Sequence, residues 1–394
     1  MRLRLFTKLI TFFKLLCEIP LCIIYFISCM IPKDKSLWIF GSYGDQYNDN
    51  SKHFFEYVRR NKAHINAVWL TNNDELIKEL RDKAVRVENK FSWRGFYTSA
   101  RAGIVIISSY RNNVNPYAIG GSFVVNLWHG FSVKKMEYDI PPGYNKGFYW
   151  RRRIFEKFAL LLPRFRYDYN LLTTPSKMVA KIYERTFRMK AENIVVTGDP
   201  RTDVLFPIRS PVDSPKTILY MPTFRSHQEL NFFNYSFYPD RWVATLKKHD
   251  CVLKVRFHSN EKINEKLIST WVKTYDQFEY IQRKEDTYSL FTEASLLITD
   301  YSSVMFDFSI TGRPVVFLPL DIEDYLDRER PMYFDYKKEI ARDYRFDDWE
   351  QLREYIDLNG VAKIDTSRFL GQVHDFHDGK SSERVYNAIV TRVS

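Results

Sequence analysis

The spacing of apolar positions changes at Pro32. The first 31 residues, MRLRLFTKLITFFKLLCEIPLCIIYFISCMI, are mostly apolar, with charges at Arg2, Arg4, Lys8, Lys14 and Glu18. Beyond Pro32, short apolar runs alternate with stretches of helical period. The runs predict strands at Leu37–Gly41, Ala67–Thr71, Ala84–Val87, Ile104–Ser108, Phe123–Leu127, Asn170–Thr173 and Ile194–Thr197. A second set is predicted at Thr217–Met221, Val252–Phe257, Phe278–Ile281, Leu296–Thr299 and Val315–Leu318. Asn73–Lys83, Trp242–Lys248 and Glu261–Lys273 read as helices between them. Buried apolar strands alternating with helices imply parallel sheets covered on both faces. Two such sets imply two Rossmann-like domains, and Pro207–Lys216, rich in Pro and Ser, reads as the linker. The expected division is a helical segment over 1–34, a first domain over 35–206, a second over 217–372 and a tail over 373–394.

The apolar start is too interrupted for a spanning helix, which needs about 20 apolar residues. Its longest uncharged run, Ile19 to Ile31, has 13 residues and contains Pro20. In a helix, Thr7, Lys8, Thr11, Lys14 and Glu18 fall on one side, and Leu5, Phe6, Leu9, Ile10, Phe12, Phe13 and Leu16 cover most of the rest. This predicts an amphipathic helix in the membrane interface, its basic residues toward anionic headgroups. A short signal anchor is the rival reading.

Composition sharpens that picture. The chain has 394 residues, a net charge of +11 and 16% aromatic residues. An excess of this size asks for an anionic partner. Over half of it sits in residues 134–166, where nine basic residues face three acidic ones. These include Lys134, Lys135, Arg151, Arg152 and Arg153, interleaved with Tyr144, Phe148, Tyr149, Trp150, Phe155 and Phe158. Basic and aromatic residues together suit a headgroup layer or single-stranded nucleic acid. The apolar start favours the membrane, so an anionic membrane surface is expected and nucleic acid is not. Cys17, Cys22, Cys29 and Cys251 show no metal or CxxC spacing, which fits a reducing compartment. Walker A, GxGxxG, zinc and GxSxG patterns are missing. No metal is assigned and no cofactor is called for, with stimulation by Mg2+ left open.

Ligands of open α/β sheets bind beyond the carboxyl ends of strands. There the sequence places Trp128-His129-Gly130, a histidine released into a turn and suited to general base work. In the second half Arg256-Phe257-His258 repeats the arrangement. Two histidines at equivalent strand ends would face one cleft, one activating a hydroxyl and the other meeting phosphate oxygens. A structural histidine in a turn is the plainer alternative. Thr299-Asp300-Tyr301-Ser302-Ser303 runs from a strand into a helix whose first amides would take phosphate, and ordinary capping is compatible with that role. Thr223 and Arg225 after the linker are further phosphate candidates, and Arg201 in Gly198-Asp199-Pro200-Arg201 would project near the inter-domain cleft; a surface turn is the plainer alternative for each.

These motifs occur in one order: Trp128-His129-Gly130 with Lys134-Lys135, Thr197-Gly198-x-Pro200-Arg201-x-Asp203, Pro222-Thr223-x-Arg225, Arg256-x-His258, and Thr299-Asp300-Tyr301-Ser302-Ser303-x-x-x-Asp307. Arg313-Pro314, Asp321–Asp335 and a closing Asp378-Gly379-Lys380-Ser381-Ser382-Glu383-Arg384 follow. The set resembles the CDP-glycerol:glycerophosphate glycerophosphotransferase family of teichoic acid and capsule synthesis, over about Gly41 to Arg384. The resemblance implies an α/β, GT-B-like fold with two Rossmann-like domains facing a cleft. It implies CDP-glycerol as donor, a lipid-linked polymer precursor as acceptor and a peripheral location on the cytoplasmic face of the membrane. It makes His129 and His258 catalytic, and Gly130, Phe131, Ser132, Val133, Arg201, Thr223, Arg225, Arg256, Ser302, Ser303 and Asp307 donor contacts. Asp307 could instead orient a serine. Phe131-Ser132 stands where the family often has Thr-Pro, and Ser259 where it often has Pro, which bears on glycerol against ribitol selectivity. A GT-B glycosyltransferase using a CMP- or UDP-sugar is the second reading, and a non-enzymatic basic binding protein the third.

Overall fold

The computed structural model describes residues 20–141, 162–209, 215–225, 235–257, 265–282, 286–328, 331–361 and 369–393. It divides into two compact units: Met1–Gly130, Pro141–Asp203 and Lys380–Ser394 in unit 1, Phe131–Ile140 and Val204–Gly379 in unit 2. Relative to the expected division, residues 131–140 fall in the second unit and the closing residues in the first.

Unit 1 is built on seven strands: β1 Asp34–Gly41, β2 Asn66–Thr71, β3 Val87–Asn89, β4 Ala102–Ile107, β5 Phe123–Asn126, β6 Leu171–Thr174 and β7 Ile194–Val196. They lie in the order β3-β2-β1-β4-β5-β6-β7, and the pairings are parallel. Strand β3 starts where the run Ala84–Val87 was expected to end. Ala84 has φ 53°, so it closes the preceding turn and cannot begin extended backbone. Helices α1 Asp49–Asn61, α2 Asp74–Asp82, α3 Trp93–Arg101 and α4 Lys177–Phe187 connect the strands. The side chains of Asn73, Ser92 and Ser176 accept from amides of the first turns of α2, α3 and α4, which fixes where each helix starts. Phe40, Phe54 and Phe55 are fully buried between β1 and α1. Each contributes roughly 1.5–3 kcal/mol to holding that helix on the sheet.

Unit 2 repeats the plan with β8 Lys216–Tyr220, β9 Cys251–Val255, β10 Phe278–Tyr280, β11 Ala294–Thr299 and β12 Val315–Phe317. The order is β10-β9-β8-β11-β12, again parallel. Its helices are α5 Pro239–Lys248, α6 Glu265–Thr274, α7 Thr287–Glu293, α8 Val304–Ser309, α9 Ile322–Arg328 and α10 Trp349–Asn359. Tyr220, Trp242 and Trp349 form the aromatic centre of its core. The chain then returns to unit 1 with α11 Ser381–Val393, whose Val385 and Ile389 join the core beside Phe54. In both sheets the strand order reverses once, between β1 and β4 and between β8 and β11. The crevice beyond the carboxyl ends of those strands is where such sheets bind ligands.

Residues 1–19 lie outside the described chain. Residues 20–30 are helical, and no described helix is long and apolar enough to cross a membrane.

Candidate functional site

In unit 1, His129 stands just past the carboxyl end of β5, in a turn with left-handed backbone at Trp128 (φ 52°) and Gly130 (φ 89°). Trp128 is buried, edge-on to Phe187 at 4.6 Å, and the exposed His129 ring stacks on it at 4.3 Å. His129 Nδ1 lies 3.1 Å from the carbonyl oxygen of Ser108, at the end of β4. A carbonyl can only accept, so Nδ1 carries a proton in this contact.

A buried polar network holds this turn. Asn50 Nδ2 donates to Trp128 O at 3.0 Å while its Oδ1 accepts from Arg201 N at 3.1 Å. Asn126 Oδ1 accepts from Trp128 N, and Asn113 Oδ1 accepts from the amides of Ser108 and Ser109. Tyr183 Oη donates to Gly130 O at 3.2 Å. Arg201 Nη1 donates to His129 O at 2.6 Å and to Asp49 at 2.9 Å. Arg201, expected as a donor contact, is 7% exposed and braces the histidine turn. Asp49, Asn50, Asn113, Asn126 and Tyr183 were not singled out from the sequence.

In unit 2 the loops after β8 and β11 meet at the reversal of strand order. Asp300 accepts from Thr223 N at 2.9 Å, Thr223 Oγ1 at 2.6 Å and Tyr301 N at 2.6 Å. Arg225 Nη1 lies 2.7 Å from Asp300 Oδ2 and its Nη2 2.7 Å from Asp321 Oδ1. Burial works against the charge of Arg225, but Asp300 and Asp321 outweigh it and hold its guanidinium above the ordinary value. Tyr301 and Tyr325 stack on each other at 4.2 Å, and the guanidinium lies beside the pair, 5.1 and 5.2 Å from their ring centres. The hydroxyl proton of Thr223 and the fork of Arg225, expected on phosphate, are thus directed to carboxylates. A nearby cavity of about 440 Å³ is lined by Tyr235, Leu320, Asp321, Ile322, Glu323 and Asp324. Its acidic wall opposes an anionic ligand.

Ser302 and Ser303 follow β11 and are partly exposed. Ser303 is the N-cap of α8 and makes no side-chain capping bond. Asp307 is buried, its carboxylate accepting from Tyr288 Oη at 2.8 Å. Arg256 donates through Nη1 to Thr287 Oγ1 at the start of α7. Phe131 packs its ring on Phe306 at 5.3 Å, Ser132 Oγ accepts from Lys134 N, and Val133 O accepts from Tyr333 N. Lys134 Nζ donates to Tyr325 Oη at 2.8 Å, so this lysine is engaged within unit 2. Lys135 is partly buried, and its amide donates to Pro331 O at 2.8 Å. His258, Arg151, Arg152 and Arg153 lie outside the described residues. Among those described, no group of three or more His, Cys, Asp or Glu could hold a metal ion.

The likenesses agree with this organisation. A solved structure of the wall teichoic acid polymerase TagF superposes with a TM-score of 0.70 at 20% identity, over all of this chain and 98% of that one, a likeness of fold. The teichoic acid glycerol-phosphate transferase of Staphylococcus aureus is 27% identical over 418 residues, 96% of each chain. The teichoic acid poly(glycerol phosphate) polymerase of Bacillus subtilis is 27% identical over 389 residues, 93% of this chain and half of that protein. The profile of the CDP-glycerol:poly(glycerophosphate) glycerophosphotransferases matches residues 23–391. With nearly the whole chain matched and its motifs at the strand ends where these sheets bind ligands, the protein belongs to that glycerophosphotransferase family.

Proposed function

We propose that this protein transfers glycerol phosphate from CDP-glycerol to a hydroxyl of a membrane-bound, lipid-linked acceptor in teichoic acid or capsule-type polymer synthesis. The acceptor oxygen attacks the β-phosphorus, a new P–O bond forms, and the bond to the CMP oxygen breaks so that CMP leaves. The acceptor proton goes to His129 Nε2. The observation that carries this reading is exposed His129 just past the end of β5, with the Ser108 carbonyl orienting its Nδ1 and so assigning the base role to Nε2. On this reading Ser302, Ser303, Arg256 and His258 serve the donor diphosphate and the charge that develops on departure. Arg201 and Arg225 act behind them, holding the two strand-end turns.

A membrane-surface location is part of the proposal. Ile23, Phe26, Ile27 and Met30 are each more than half exposed. Their spacing forms one apolar stripe on the helical residues 20–30. Cys22, Tyr25 and Ser28 face inward. The Arg166 guanidinium, at the end of the basic and aromatic segment, lies 5.8 Å from the Tyr25 ring centre. On this reading the exposed stripe suits an anionic leaflet on its cytoplasmic side, with Arg166 beside it for the headgroups.

The test is CMP release by purified protein given CDP-glycerol or CDP-ribitol with a defined lipid-linked acceptor, together with flotation on phosphatidylglycerol vesicles. Glycerol-phosphate transfer is expected. Turnover with CDP-ribitol alone moves the assignment to a ribitol-phosphate transferase, and no turnover with either overturns it.

A further inference from the structure

The carboxylate of Asp307 is held by one hydrogen bond within unit 2 and faces a buried histidine on its other oxygen. Tyr288 Oη donates to Oδ2 at 2.8 Å, and His374 Nε2 faces Oδ1 at 3.8 Å. All three residues are buried, between 5% and 8% exposed. Asp307 sits on α8, one helical turn after Ser303, so both lie on one face of the helix. The ring of Tyr288 is fixed in turn by Phe291, edge-on at 5.6 Å. Thr287, its neighbour, receives the Arg256 guanidinium. The first turn of α7 therefore connects two donor candidates, Arg256 and Asp307, through residues that no motif marked.

We propose that Tyr288 and His374 are positioning residues for the donor site. Tyr288 by its hydrogen bond to Asp307, and His374 by packing beside the carboxylate, fix α8 and with it the partly exposed Ser302–Ser303 turn that takes the donor diphosphate. This assigns Asp307 the role of anchor for the serines rather than ligand contact. It rests on the reading of CDP-glycerol as donor.

Tyr288→Phe removes one oxygen and keeps the ring, and His374→Gln keeps a polar side chain at the same depth. With the full-length protein, the KM for CDP-glycerol is expected to rise about tenfold in Tyr288→Phe, the size of one hydrogen bond to a carboxylate. The KM for the acceptor stays within about twofold. His374→Gln is expected to shift the donor KM in the same direction. If both residues act through the serines, Tyr288→Phe has a smaller effect in a Ser303→Ala background than in the wild type. A lowered melting temperature with unchanged donor KM in both variants assigns the pair to stability alone and overturns the positioning role. Wild-type protein inactive with CDP-glycerol overturns the functional reading instead.

Discussion

Asp203 and Ser381, 178 residues apart in sequence, meet at the start of the last helix. Asp203 Oδ1 accepts from Ser381 N at 2.8 Å and Oδ2 from Ser382 N at 2.7 Å. The Gly198-x-Pro200-Arg201-x-Asp203 motif and the closing Lys380-Ser381-Ser382 are therefore two halves of one helix cap within unit 1. A carboxylate there satisfies two amides with no intrahelical partner and opposes the positive end of α11. Asp203→Ala is expected to lower stability by about 0.5–2 kcal/mol in urea denaturation. Wild-type stability in that variant would detach the cap from any role in holding the helix.

His129 offers the opposite case, a residue whose removal touches chemistry and not the fold. The residue is exposed, and its Nδ1 meets a carbonyl at a strand end. His129→Ala is expected to reduce turnover with CDP-glycerol by about 10²–10⁴-fold. Its unfolding free energy stays within about 0.5 kcal/mol of wild type. Paired rate and denaturation measurements separate the two effects.

Gly130 makes the same turn intolerant of any side chain. Its φ is 89°, and a Cβ built there would stand 1.8 Å from Arg201 Nη2. That guanidinium has nowhere near to go while it holds Asp49 and His129 O. Gly130→Ala should therefore push Arg201 off the His129 carbonyl. A loss of about 1–3 kcal/mol in stability and of at least about tenfold in turnover is expected.

Much of this was legible in the sequence, for a physical reason. Strands buried on both faces write continuous apolar runs, so both sheets and the strand-end position of His129 could be read from pattern alone. Side-chain partners could not. Arg225 reads as a phosphate fork because nothing local says otherwise. Its real partners, Asp300 and Asp321, lie 75 and 96 residues away. Asn50 likewise carries no mark of its reach to Trp128 O, 78 residues on. The boundary at Gly130 was missed because the chain enters unit 2 for only ten residues, too short a stretch to carry a strand or helix pattern of its own.

Unit 2 should lose stability at alkaline pH. Burial, reinforced by Asp300 and Asp321, raises the Tyr301 hydroxyl above its ordinary value of 10, and burial raises Tyr336 well above it. Burial also pushes the Cys251 thiol up to about 11 from 9. In each case the folded state holds a proton that the unfolded chain releases more readily. The stabilisation is complete below pH 9 and declines as pH rises, from 9 to about 11 for Cys251 and from 10 upward for the tyrosines. Denaturation midpoints measured between pH 8 and 11 should fall, with a shallower slope between 9 and 11 in Cys251→Ala.

Arg225 decides between a ligand and a strut. As a phosphate ligand it would tolerate neutral replacement in the absence of donor, since its charge would face solvent or substrate. In the structure it instead neutralises two buried carboxylates, Asp300 at 2% and Asp321 at 4% side-chain exposure. Removing one partner of such a group leaves unpaired buried charge and costs about 3–5 kcal/mol. Arg225→Met should therefore destabilise the donor-free protein by that amount. Adding Asp300→Asn and Asp321→Asn to the same chain should recover part of the loss, because the charges left unpaired are gone. If Arg225→Met melts with the wild type and loses only donor affinity, the guanidinium belongs to the ligand after all.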